Sequence, residues 1–165
     1  MLKKLIFEWL FKLRIKKNNV QVEGFKEIKT IVIIINLDEN KTCDLEALTH
    51  SFEKLGKSVQ SIGVSPSGRS HKDNKIKVAT KNDFTFFGTP KNPWVQEFFS
   101  NKSDYAILID RSNNYLINHL AIHCKANCYI GYKSIPQNQL LTLQIAPLLE
   151  NEHETFLRYI KLIEN

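Results

Sequence analysis

The chain has 165 residues, of which 42% are hydrophobic and 24% charged, and its formal net charge is +6. These values are ordinary for a single folded domain and exclude collagen-like, low-complexity and wholly disordered chains. The charge is concentrated at one end, because residues 1–17 hold six Lys and Arg against Glu8 alone, a net of +5, and the rest of the chain sums to +1. We therefore expect no nucleic-acid partner, since the body of the protein is close to neutral.

Residues 1–17 form the first predicted element, a basic amphipathic helix. Apolar residues recur there at spacings of three and four, which is the period of one helix face. Phe7 and Phe11 point to nearly the opposite side. The apolar stripe consists of Leu2, Leu5, Ile6, Trp9, Leu10 and Leu13.

Two hypotheses remain open for this helix. In the first, the stripe docks on the domain or on a partner chain, and the lysines face solvent. In the second, the helix contacts an anionic membrane surface or a partner protein through aromatic side chains set among basic ones. A second copy of the chain is among the candidate partners. The residues assigned to this contact are Lys3, Lys4, Phe7, Trp9, Phe11 and Arg14.

After a linker over residues 18–27, the pattern over residues 28–165 predicts one α/β domain. Residues 29–38 form a continuous β-branched run without alternation, which is typical of a central strand buried on both faces. Asp44 is placed to cap the next helix, Gly56 lies near that helix's C-terminus, and a second strand follows over residues 58–64.

The remaining elements continue the alternation of strand and helix. The third strand is either 76–79 or 84–87, and Pro93 opens a helix. Ser112 or Asn113 caps the next helix. The alternation predicts a Rossmann-like three-layer α/β sandwich with a mostly parallel sheet. Further strands are expected over 104–110, 127–131 and 141–145, followed by a C-terminal helix.

Polar residues follow several of these strands, at the edge where open parallel sheets bind ligands. Hydroxyl and basic side chains there could hold an anion. The alternative explanation is a solvated turn after the second strand and local pairing with helix capping after the 104–110 strand. The candidate ligand-binding residues are Asp38, Ser67, Arg69, Asp110, Arg111, Ser112 and Asn113.

No motif predicts a cofactor or a metal. The Gly-x-Gly-x-x-Gly and Gly-Lys-Ser/Thr patterns are absent, and His119 and His123 have no identifiable third ligand. Three cysteines, an odd number, point to a reducing compartment, and we interpret Cys124 and Cys128 as core residues. We expect a cytoplasmic protein, with peripheral attachment to the inner membrane as an open alternative.

Two segments resemble a bacterial family of short proteins of unknown function. The segments are Asp104-Tyr-Ala-Ile-Leu-Ile-Asp-Arg-Ser112 and Leu120-Ala-Ile-His-Cys-Lys-Ala-Asn-Cys-Tyr-Ile-Gly131. Phe86-Phe-Gly-Thr-Pro-Lys91 is similar to a turn of the same family. The region is also similar, at the level of the fold, to the N-terminal half of heptosyltransferases. This second resemblance implies a Rossmann-like fold and transfers no site residue.

These observations favour a non-catalytic binding or interaction module over an enzyme. The alternative is a small enzyme, or a binder of sugar nucleotides or phosphate ligands, that uses the crevice at the carboxyl ends of the strands.

Overall fold

A six-stranded parallel sheet organises the protein in this computed structural model. The strand order is β3-β2-β1-β4-β5-β6, and every neighbouring pair is parallel. The strands are β1 Thr30–Asn36, β2 Ser58–Ser65, β3 Val78–Thr80, β4 Tyr105–Ile109, β5 Cys128–Tyr132 and β6 Leu143–Ile145. The structure describes residues 2–15, 24–39, 44–69, 76–132, 140–146 and 152–163.

Strand β1 lies in the middle of the sheet and is buried on both faces. Successive side chains of a strand point to opposite faces, so a strand covered on both sides needs apolar residues at every position. Ile33 belongs to one hydrophobic core and Ile34 to the other, and both have no exposed surface. The continuous β-branched run is explained by this position.

Within the described residues, five α-helices cover the two faces of the sheet. Helices α2 and α5 contribute Phe52 and Phe156 to the core on the Ile33 face, whereas α1, α3 and α4 pack on the Ile34 face. The predicted three-layer sandwich is confirmed. The helices are α1 Leu2–Ile15, α2 Leu45–Lys54, α3 Pro93–Ser100, α4 Tyr115–His123 and α5 Glu152–Ile163.

Two local predictions are resolved by the structure. Asp44 caps α2 by accepting a hydrogen bond from the Ala47 amide, as expected, at 2.9 Å. The third strand lies at Val78–Thr80, while Phe84 makes only an isolated bridge.

The predicted N-cap of α4 was wrong, because Ser112 and Asn113 precede the observed cap by two residues and by one. The cap is Asn114, whose side chain accepts from the Leu116 amide at 2.9 Å. Asn113 adopts a left-handed conformation with φ of 53°, and the Asp110 carboxylate accepts from the Ser112 and Asn114 amides. These contacts shape the turn before the helix, so α4 begins at Tyr115.

The boundary of the packed domain also differs from the expectation. Phe25, which the sequence pattern assigned to the linker, is 1% exposed and lies in the core with Phe52 and Tyr105. The Lys57 ammonium donates to the Phe25 and Ile28 carbonyl oxygens at 2.8 Å each. The packed region therefore includes part of the segment before residue 28.

Helix α1 docks on the domain through the face opposite to the predicted one. Phe7 is 1% exposed, whereas the stripe residues Leu2, Leu5 and Trp9 are 61%, 54% and 60% exposed. Phe7 enters a pocket of aromatic rings beside α4, and this contact outweighs the larger number of apolar residues on the stripe. The alternative in which the stripe docks on the domain was therefore wrong, and so was the assignment of Phe7 to an exposed contact, whereas docking of the stripe on a partner chain stays a prediction.

Candidate functional site

The strand order reverses between β1 and β4, and the loops that follow these strands meet at the carboxyl edge of the sheet. In an open parallel sheet this switch point is where ligands bind. Asn36 ends β1 and Asp110 directly follows β4. Both residues are buried, with 2% and 7% of their surface exposed. The loops that the sequence pattern selected are therefore brought together.

The Asp110 carboxylate is surrounded by donors from its own loop and from β1. One oxygen accepts from the Asn36 amide at 2.8 Å and from the Ser112 hydroxyl at 2.8 Å. The other accepts from the backbone N–H of Asn114 at 2.6 Å. Asp110 thus fastens the start of α4 to the end of β1, which is the local pairing that the sequence left open.

Asp38 plays a similar part for the loop after β2. Its carboxylate accepts from the hydroxyls of Ser65 and Ser67 at 3.0 Å each and from the Ser67 amide at 2.7 Å. The Asp38 amide in turn donates to the Asn36 side chain at 3.1 Å. One chain of hydrogen bonds therefore joins the loops after β2, β1 and β4.

The two arginines of the candidate site make further contacts at this edge of the sheet. Arg111 is exposed, its guanidinium lies 5.3 Å from the centre of the Tyr132 ring, and its backbone N–H donates to Glu39 at 3.2 Å. Arg69 is exposed, and its backbone N–H is 3.4 Å from the Ser67 hydroxyl. Asn113 accepts from the Asn118 amide at 2.7 Å.

The polar side chains at the carboxyl edge make hydrogen bonds with one another and with the protein backbone. The carboxylates of Asp38 and Asp110 accept several hydrogen bonds from protein groups, and such bonds satisfy a buried polar group without a ligand. Within the described ranges, no three His, Cys, Asp or Glu side chains are grouped as a metal site requires. Ligand binding at this edge stays a prediction.

Sequence reasoning missed a cluster of rings around His119. This residue is 1% exposed, and its Nε2 lies 2.9 Å from the Gly88 carbonyl oxygen. The Phe7 ring is centred 4.2 Å from the imidazole, and Phe84 meets it edge-on at 5.4 Å. His123 Nδ1 contacts the His119 carbonyl oxygen at 2.7 Å. The i, i+4 spacing therefore reflects packing beneath α1.

The two described cysteines are core residues, as predicted. Cys124 and Cys128 have no exposed surface, and neither forms a disulfide. Burial raises the pKa of the Cys124 thiol, and it raises the pKa of Cys128 to about 11. Since the thiolate is the reactive form, neither is suited to nucleophilic chemistry at neutral pH. Cys43 lies outside the described residues.

A cleft of about 380 Å³ opens at the opposite, amino-terminal edge of the sheet, where Thr30 and Lys102 contribute to its lining. Beside it, Asp104 Oδ2 accepts from the backbone N–H groups of Lys29 and Thr30 at 2.7 and 2.8 Å, and from the Thr30 hydroxyl at 2.9 Å. Burial raises the pKa of this carboxyl, but these hydrogen bonds outweigh that effect and lower it below its ordinary value. Asp104 therefore joins the beginnings of β1 and β4.

Large apolar side chains are exposed on the outer face of α1. Leu2, Leu5 and Trp9 follow one another at spacings of three and four on that face. Lys4 lies 3.7 Å from Glu8, and both side chains are exposed. The side chains of Lys3, Phe11 and Arg14 lie outside the described part of the structure. Among the described helices, none has the length and apolar composition that a bilayer span needs.

The strand order and the loops that meet at its switch point define a Rossmann-like α/β protein. The chain belongs to a family of unknown function, DUF6913, whose family model matches residues 3–163. No curated protein and no solved structure matched the chain. The resemblance to a family of unknown function is confirmed, and the likeness to heptosyltransferases stays a prediction.

Proposed function

We propose that this protein is a non-catalytic binding module that attaches peripherally to an anionic membrane surface through the outer face of α1. The observation that carries the proposal is the opposite exposure of the two helix faces. Phe7 is 1% exposed, whereas Trp9, two residues later, is 60% exposed. The helix is held by the domain on one side and presents large apolar side chains on the other.

The outer face has the composition of an interfacial contact. An interfacial helix lies in the plane of the membrane and places Trp and Leu at the boundary between headgroups and acyl chains. Leu2, Leu5 and Trp9 lie along one line of α1, so they can reach a flat surface together. Because Phe7 faces the domain, such a surface would meet the helix from the side away from the sheet.

The charge of the same segment favours an anionic surface. Residues 1–17 carry a net charge of +5. A basic residue close to an anionic leaflet contributes about 1 kcal/mol, so the segment could contribute about 5 kcal/mol at low salt. This attraction weakens as ionic strength rises. Attachment at the cytoplasmic face of a membrane would meet these requirements.

A second copy of the chain fits the same face less well. A symmetric dimer through α1 would bring two segments of charge +5 together, and like charges repel. A stable protein interface also needs about 800 Å² from each partner. Three exposed side chains on a single helix supply only part of that area. These considerations favour a lipid surface over self-association.

Vesicle sedimentation tests the proposal with the full chain. We expect the protein to pellet with vesicles that contain anionic lipid at low salt, and to stay in the supernatant with purely zwitterionic vesicles. The double variant L5S/W9S should lose most of this binding. Leu55→Ser is the matched control, because Leu55 is 48% exposed at the end of α2, on the other face of the sheet.

Two results would contradict the proposal. One is an unmodified protein that remains in the supernatant with anionic vesicles at low salt. The other is equal binding by L5S/W9S, L55S and the unmodified chain, which would make the outer face of α1 irrelevant. Far-ultraviolet circular dichroism of each variant establishes that the compared proteins share the same fold.

A further inference from the structure

A second exposed apolar group lies on the turn between β3 and α3. Phe86 and Phe87 are 43% and 73% exposed, and their ring centres are 5.6 Å apart with the planes perpendicular. Isolated exposed apolar residues are common on protein surfaces, whereas adjacent large ones mark a contact surface more often. The pair is therefore a candidate for contact with something outside the domain.

The turn is held in shape by its own backbone. Thr85 N–H donates to the Thr89 carbonyl at 2.8 Å, and Gly88 N–H donates to the Thr85 carbonyl at 3.2 Å. At the base of the turn, Lys91 N–H donates to the Asp83 carbonyl at 2.8 Å. These bonds fix the backbone on both sides of the Phe pair, so the exposure of the two rings follows from a defined conformation.

The same turn contacts the residues on which α1 docks. The Gly88 carbonyl oxygen lies 2.9 Å from His119 Nε2, and the His119 ring is centred 4.2 Å from that of Phe7. Phe84, just before the turn, meets Phe7 edge-on at 6.1 Å. The turn and α1 therefore flank one aromatic cluster on the same face of the sheet.

Charge at the base of the turn suits an anionic surface. Lys81 and Lys91 are both exposed, one before the turn and one after it. Asp83, the carboxylate between them, accepts from the Thr80 amide and hydroxyl and from the Asn92 side chain. An apolar tip with lysines at its base suits insertion between acidic headgroups, because the rings enter the boundary while the ammonium groups stay at the surface.

We infer that Phe86 and Phe87 form a second membrane contact, which acts together with the outer face of α1 on an anionic lipid surface. This inference rests on the function proposed above. Two contacts on one rigid domain bind more tightly than either alone, because the first holds the second close to its partner. The turn would also fix how the domain is oriented on the surface.

The double variant F86S/F87S tests this contact in the full chain. We expect its partitioning onto anionic vesicles to fall by at least about tenfold, because two exposed aromatic side chains are removed from an apolar boundary. Leu55→Ser should leave partitioning unchanged. The variant should fold normally, since both rings are largely exposed, and circular dichroism and the unfolding midpoint verify this.

A reporter at the tip gives a second readout. In a W9F/W94F background, which keeps an aromatic ring on α1, the substitution F87W leaves one Trp at the turn. Sedimentation of this reporter chain establishes how much of it is bound to anionic vesicles, and brominated lipids should quench the fluorescence of the bound fraction. Normal partitioning by F86S/F87S, or an unquenched reporter, while L5S/W9S abolishes binding, would overturn this inference and leave the proposed function intact. Failure of the unmodified chain to bind would overturn both.

Discussion

A contact among three residues fixes where α1 lies. The Phe7 ring packs on His119, and the His119 imidazole reaches the Gly88 carbonyl. Gly88 has a φ of +80°, and a Cβ added there would lie 2.7 Å from His119 Cε1. Both the backbone conformation and the space at this position therefore require glycine.

Gly88→Ala should destabilise the protein by at least about 2 kcal/mol, because a strained φ is combined with a collision against a buried ring. Gly56→Ala is the matched control, since Gly56 has a φ of +77° with no atom within 4 Å of the added Cβ. It should cost only about 1 kcal/mol. Urea unfolding followed by circular dichroism measures both, and equal losses would contradict the role given to His119.

Asp104 provides a test of electrostatics at the level of one atom. Its Oδ2 accepts three hydrogen bonds, so an amide oxygen in Asp104→Asn can replace the acceptor while removing the charge. The pKa of Asp104 is lowered in the folded protein. The Asp104 charge therefore contributes fully to the free energy of unfolding above the unfolded-state pKa, near 3.9, and this contribution disappears as the pH falls through the folded-state pKa. After allowance for solvent screening, we expect a loss of about 1 kcal/mol at pH 7.

The difference in the free energy of unfolding between the unmodified chain and D104N should be constant between pH 7 and about pH 5, and should shrink at lower pH. Urea unfolding at several pH values measures it. If the difference is still the same at pH 2, the charge of Asp104 is not its cause. Such a result would mean that the Asn amide oxygen fails to replace the carboxylate as a hydrogen-bond acceptor.

At the scale of secondary structure, local patterns predicted the strands well. The β-branched run over 29–38 could be interpreted from composition alone, because a strand covered on both faces needs an apolar residue at nearly every position. Val78–Thr80 was harder to place. It has only three residues, and the aromatic run 84–87 has an equal propensity for extended structure.

Periodicity alone could not predict which face of α1 docks on the domain. The spacing identified two faces correctly, but it could not decide between them. The actual seat consists of rings from distant parts of the chain, among them Phe84 and His119, which only the folded chain brings together. The candidate site was predicted to a similar extent: proximity of the loops follows from the topology, whereas their mutual hydrogen bonds depend on tertiary geometry.

Substitutions on opposite faces of α1 should have very different effects on stability. Phe7→Ala removes a ring that is 1% exposed, and should cost about 3 kcal/mol through lost burial and the cavity left behind. Trp9→Ala, at a position 60% exposed, should change stability by no more than about 0.5 kcal/mol. Denaturant unfolding measures both changes. A larger loss of stability for W9A than for F7A would contradict this arrangement, because it would mean that the stripe packs on the domain.

At the scale of the whole molecule, the polar loops and the exposed apolar residues occupy different regions. At the carboxyl edge, Asp38 and Asp110 connect neighbouring loops by hydrogen bonds within the protein. The face that carries α1 presents Trp9 and Phe87 outward. We therefore propose that the domain acts as a scaffold that holds an apolar and basic surface in a fixed arrangement.

Fluorescence of Trp9 reports directly on whether the outer face of α1 enters an anionic membrane surface. The chain has two Trp residues, so in the variant Trp94→Phe the emission comes from Trp9 alone. Addition of anionic vesicles at low salt should shift the emission to shorter wavelength and reduce quenching by acrylamide, and high salt should reverse both changes. An emission maximum and an acrylamide quenching constant that stay the same across the whole lipid titration would contradict the account.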